Sequence, residues 1–185
     1  YDLTDAWTVT VGGRYYKYDL ETSSEFAFGP IGPAGPFFFP ARPGGQKDDG
    51  VLGKFNMSYE FSRDVLGYLT VSQGYRGGNS NSVTACPVPL PPNTFVCGEP
   101  NELFYTPDTT TNYEVGLKTQ LFDRRLTLNG ALFYIDWKNV QVSSATQVGQ
   151  VGITVNGNGA SSKGVELNFD AALTNQLRLN SVRHL

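Results

Sequence analysis

Two cysteines, Cys86 and Cys97, bracket the stretch CPVPLPPNTFVC. Thiols so placed either join as a disulfide or hold a soft metal, and a metal needs further ligands. The chain offers few, with one histidine, His184, and only Glu99 among the carboxylates close to the pair. Paired carboxylates are the other source of chemistry, because two at close quarters can do acid and base work. Glu60, Glu114, Glu166 and Asp170 are instead spread along the chain, interspersed with Arg14, Lys54, Arg76 and Lys118. Charges distributed in this way more often build ion pairs and hydration networks along a surface. GGNSNSV and NGNG are glycine-rich, yet neither follows a strand and opens a helix, as a phosphate loop must. No nucleophile and base share a catalytic spacing. The expectation is a protein that is not an enzyme and carries no cofactor or metal.

A net charge of -3 leaves no basic stripe, which excludes a nucleic-acid partner. Hydrophobic residues at 39% are few for a globular core, while 21 Gly and 11 Pro are many, and the balance points to strands and loops. No apolar run reaches the length of about 18 residues that a spanning helix needs. The opening YDLTDAWTVT lacks the basic and apolar regions of a signal peptide. A membrane stays open as a setting, since a barrel strand spans it with about 9 to 11 alternating residues.

Alternation is what the chain shows. Trp7, Val9, Val11, Gly13 and Tyr15 oppose Thr8, Thr10, Gly12, Arg14 and Tyr16; Phe55, Met57, Tyr59 and Phe61 oppose Lys54, Asn56, Ser58 and Glu60. Leu69, Val71 and Tyr75 oppose Tyr68, Thr70, Ser72 and Arg76; Tyr113, Val115 and Leu117 oppose Asn112, Glu114 and Lys118. Val165, Leu167, Phe169 and Ala171 oppose Gly164, Glu166, Asn168 and Asp170, and Leu177 and Leu179 begin another run. Leu126 to Trp137 is less regular. Leu128 and Tyr134 keep the apolar side, but Ile135 and Trp137 fall on the polar one, which a bulge near Tyr134 or a change at a loop mouth would explain.

The runs are joined by short turns (LTD, SRD, FDRR, TNQ) in alternation with long Gly, Pro, Ser and Asn segments, at about 19–49, 77–109 and 143–162. An all-β antiparallel up-and-down meander of about six to seven transmembrane strands has this layout, with turns at one end and loops at the other. Its apolar side (Val9, Val11, Phe55, Met57, Leu69, Val71, Val115, Leu117, Leu128, Val165, Leu167, Phe169) then faces lipid. Arg14, Lys54, Glu60, Glu114, Lys118, Glu166 and Asp170 face a lumen. Trp7, Phe61 and Phe122 near the turns, and Tyr15, Tyr75, Tyr113 and Tyr134 near the loops, read as two aromatic girdles. A soluble secreted β-sandwich binding module is the alternative, with the same apolar side turned inward.

Four stretches resemble the TonB-dependent receptors of the Gram-negative outer membrane: TVTVGGRYYKYD, GYLTVSQGYRGG, TTNYEVGLKTQLFDRRLTLNGALFYIDWKNVQV and NGNGASSKGVELNFDAAL. Each is loose alone; their order is specific. The resemblance implies a barrel of about 22 strands, filled by an N-terminal plug, that imports a scarce nutrient with energy coupled through the TonB complex. Ferric siderophores, cobalamin, haem and oligosaccharides are the implied ligands, a ferric siderophore first. A passive porin or an adhesin-type barrel is the nearest alternative. Residues 1–185 contain no plug, TonB box or closing strand, so the expectation is a partial barrel domain from a longer receptor. The second long loop is then extracellular, and an oxidising exterior favours the disulfide Cys86–Cys97. In the first long loop Phe37, Phe38, Phe39 and Arg42, together with Arg76 on the wall, are candidates to touch ligand.

Overall fold

The computed structural model describes residues 1–28, 37–92, 94, 96–174 and 176–184, with the side chains of 24–43 and 184 outside the description. The alternating runs form strands: β1 (Trp7–Phe28), β2 (Phe37–Ser62), β3 (Val65–Arg76), β6 (Asp108–Leu121), β7 (Leu126–Lys138), β10 (Gly159–Ala172) and β11 (Arg178–His184). Together they make one seven-stranded antiparallel sheet in the order β1-β2-β3-β6-β7-β10-β11. Four short strands lie in the connections: β4 (Asn79–Ser80) with β5 (Phe104–Tyr105), and β8 (Gln141–Ala145) with β9 (Gly152–Asn156). Every step along the sheet is therefore to the next long strand, as in a meander.

Register carries the sequence pattern across the strands. Val9, Met57, Leu69, Val115, Leu132 and Val165 are successive cross-strand partners, so one apolar row runs through six strands. The next row outward, Val11, Phe55, Val71, Tyr113 and Tyr134, ends on the paired tyrosine rings. On the other face Thr10, Asn56, Thr70 and Glu114 align. Among the described residues no second layer covers the apolar rows: Val11 is 76% exposed and Leu132 55%. A β-sandwich would bury that face; a barrel presents it to lipid. Tight burial lies mainly outside the sheet, at Cys97, Glu102, Thr146 and Ile153 in the loops and Asp108 at a strand end.

The short turns are closed by local bonds. Phe122, Asp123 and Arg124 all have φ between 55° and 65°, and the Arg125 N–H donates to the Phe122 carbonyl. The Arg125 guanidinium then donates to the carbonyls of Ala172 and Leu173 at 3.3 and 3.1 Å, tying two neighbouring turns together.

Two expectations are corrected, and of the two readings offered for the irregular run in β7 the change at the loop mouth holds. Residues 19–28 and 37–49, expected in a long loop, are strand: β1 and β2 stay paired out to Phe28 opposite Phe37, while β3 follows β2 only as far as Lys54 opposite Ser72. A two-stranded ribbon thus runs on beyond the sheet. No bulge interrupts β7, whose pairing with β6 and β10 is continuous, so Ile135 and Trp137 are lumen-face residues at the loop end. Tyr75 leaves the outer girdle and stacks on Tyr16 at 3.7 Å.

Candidate functional site

The loop end of the sheet is closed by a cap built around Asp108, the first residue of β6. Its carboxylate accepts a hydrogen bond from Arg76 at 2.5 Å and from the Gln141 N–H at 3.1 Å. Burial by itself would raise this carboxyl, but the bonds from Arg76 and Gln141 win and hold it below the usual carboxylate range. The Trp137 indole N–H also favours the charge, although it stops short of hydrogen-bond geometry. Arg76 lies 5.6 Å from the centre of the same indole ring and donates to the Gln141 carbonyl. Gln141 completes the node by donating through Nε2 to the carbonyls of Gly77 and Thr106. The ends of β3, β6 and β8 are thereby fastened at one buried charge.

Above this node two asparagines bond like strand backbone. Asn81 donates to the Thr154 carbonyl at 2.7 Å and accepts the Thr154 N–H at 3.0 Å. Asn156 accepts the Thr106 N–H at 2.7 Å and donates to the Thr106 carbonyl at 2.9 Å. Each side-chain amide thus satisfies both backbone groups of a residue in the other loop, which a backbone left without a ladder needs. The buried Glu102 carboxylate accepts the N–H groups of Glu99 and Gln147, 2.8 and 2.9 Å away. Cys86 and Cys97 form the expected disulfide, and the Cys97 N–H donates to Val148 of the β8–β9 hairpin. The loop after β3 and the hairpin before β10 therefore make one body.

On the lumen wall Tyr68 donates to Glu114 at 2.6 Å, Lys118 sits 5.2 Å over the Tyr68 ring, and Asn56 donates to Thr70. Arg178 pairs with Asp170 at 2.7 Å. Arg14, Lys54 and Glu60 occupy the same face. The site residues expected from sequence are thus divided. The lumen set shares a face, Arg76 is held in the cap, and the side chains of Phe37, Phe38, Phe39 and Arg42 lie outside the described residues. Sequence reasoning missed Asn81, Glu102, Asp108, Gln141 and Asn156. Their one signal was polar residues in loops, which ordinarily means turns. Among the described residues no group of three His, Cys, Asp or Glu gathers to hold a metal.

Residues 1–183 match the family described as TonB dependent receptor-like, beta-barrel. Among solved structures, the ferric yersiniabactin uptake receptor FyuA from Yersinia pestis is similar at 24% identity and a TM-score of 0.66, over 98% of this chain and 25% of that one. The ferric-catecholate import receptor Fiu from K12 E. coli is similar at 16% identity and a TM-score of 0.64, over 98% and 26%. The Serratia marcescens hemophore receptor HasR, solved with its hemophore HasA and heme, is similar at 14% identity and a TM-score of 0.62, over 97% and 32%. The chain spans about a quarter to a third of the length of these structures.

Proposed function

The chain belongs to the TonB-dependent receptor β-barrel family of the Gram-negative outer membrane, and on that premise we propose that the protein it forms is an active importer of an iron chelate, a ferric siderophore first. The whole length of residues 1–183 falling within this one family is the observation that carries the reading. Support comes from similar receptors that take up ferric yersiniabactin and ferric catecholates. In this reading the apolar rows seat the wall in lipid, the charged face lines the passage, and the cap and ribbon stand at its outer mouth. The protein carries its solute and does not transform it, and energy arrives from the TonB complex through a plug.

Expression of the full reading frame in an iron-starved Gram-negative host lacking its own receptors tests this directly. Radioactive iron offered as a panel of ferric siderophores should accumulate in cells with TonB and not in cells without it. Accumulation that is indifferent to TonB would identify a passive pore, and accumulation of haem alone would move the ligand to that class.

A further inference from the structure

The ribbon leaves part of β2 as an edge. The Glu60 N–H donates to the Ala6 carbonyl, on the β1 side, whereas the Gly53 N–H points the other way and donates to Gln73 Oε1 of β3 at 2.9 Å. Backbone groups alternate in direction along a strand, so those of Val51, Asp49 and Lys47 also point away from β1. β3 no longer runs beside them, since its pairing with β2 ends at Lys54 opposite Ser72. The Gln73 side chain supplies one rung in place of a strand, and no described residue supplies the next ones. From Lys47 to Val51, a rise of about 14 Å, the edge offers N–H and C=O groups without ladder partners.

Exposed edges are ordinarily blunted, by proline or by lysine among other devices. No proline falls between Gly44 and Lys54, and the Lys47 amine is drawn across to Asp19 of β1 at 2.6 Å, away from the edge. Gly50 adds no side chain, and Val51 is 70% exposed. The edge is also held in place. The Tyr16 ring lies across Gly50 and stacks on Tyr75, the Tyr18 hydroxyl accepts the Gly78 N–H at 3.0 Å, and the Thr22 and Ser80 hydroxyls share a hydrogen bond of 2.9 Å. A strand fixed in this way has little freedom left to lose when something pairs with it. Its charge is one-sided: over 15–23 and 44–53, Asp19, Glu21, Asp48 and Asp49 outnumber Lys17 and Lys47.

We propose that this edge is a docking site for an extended, cationic peptide segment of a secreted protein, which adds to β2 as a further strand at the outer mouth. Main-chain bonds to Val51, Asp49 and Lys47 give the affinity, and lysine or arginine side chains of the incoming segment lie across from Asp48 and Asp49. Docking here is separate from the import reading, because it uses the ribbon and not the passage.

The test uses the purified full-length receptor in a non-ionic detergent and three labelled heptapeptides read by fluorescence anisotropy. The first alternates Lys and Val, the second alternates Glu and Val, and the third is the first N-methylated at its internal amides. The first should bind. The second should bind more weakly by about tenfold or more for want of charge, and so should the third, which keeps the charge but has no internal N–H to donate. Val51→Pro removes an edge N–H that β1 does not use, so it should leave thermal unfolding unchanged and weaken the first peptide by about tenfold or more. Asp48→Asn/Asp49→Asn should weaken it as well, and no loss there would overturn the cationic preference. Equal binding of the first and third peptides by the wild type overturns the proposal whether or not the variants fold, because charge alone would then be the attraction. Absence of binding to the wild type overturns it, as does a folded Val51→Pro that binds as tightly as the wild type. Self-association of the receptor that Val51→Pro abolishes, with no peptide bound, would assign the edge to a second copy instead.

Discussion

Gly116 is glycine for the sake of packing. The Tyr68 ring lies across it, so that a Cβ there would stand 2.5 Å from Tyr68 Cζ, and the ring cannot easily retreat because its hydroxyl is bonded to Glu114. Gly116→Ala should therefore destabilise the full receptor by about 1–3 kcal/mol through overpacking. Urea unfolding in lipid vesicles measures this, and Tyr68→Ala in the same chain should recover most of the loss. Val11 and Thr10 differ for another reason, the solvent each meets. Val11→Arg places a charge against hydrocarbon and should cost about 2–4 kcal/mol, while Thr10→Arg enters an aqueous lumen and should cost far less. Equal costs at the two positions would contradict the assignment of the faces.

Elements meet at Asp108, and its protonation is a test of the cap. Because the carboxyl is held below its ordinary value, its contribution is complete above the unfolded pKa of about 3.9. That contribution disappears as pH falls through the lower, folded value. Amide hydrogen exchange of the β8–β9 hairpin, corrected for the intrinsic pH dependence, should accelerate on acidification below about pH 4. In Asp108→Asn it should be faster at neutral pH and lose the acid step. The disulfide supports the same loop by shortening the unfolded chain, an effect of about 3 kcal/mol for a ring of this size. Thiol reagents on intact cells should find Cys86 and Cys97 only after reduction. The strands were legible in sequence wherever one face meets hydrocarbon and the other water, because that contrast is what produces period two. Along the outer parts of β1 and β2, through LETSS and RPGGQKDD, the contrast fails, and the ribbon reads as loop. The cysteine pair was legible from its spacing together with the oxidising exterior that the family resemblance implies for its loop. The asparagine clamps were not, because their partners are backbone groups in a distant loop, which no local pattern encodes.

At the scale of the molecule the sheet has two edges, β1 and β11, that pair with no further described strand. Unpaired N–H and C=O groups cost several kcal/mol each in hydrocarbon, so these 185 residues by themselves should aggregate or form only irregular leaks. Planar bilayer recordings should show no discrete, reproducible conductance steps from monomeric material; clean steps would mean that the chain closes a pore unaided. The cap has a different consequence, for how the outer surface changes over generations. Surface loops vary more freely than the elements they join, yet Asn81 and Thr154, or Thr106 and Asn156, belong to different loops and complete one another. A recombination that exchanged one segment alone would leave backbone groups unmatched in the other. Variation at this surface should thus be inherited as a linked pair, and antibodies raised against either loop as a free peptide should miss the joint epitope that the folded cap displays.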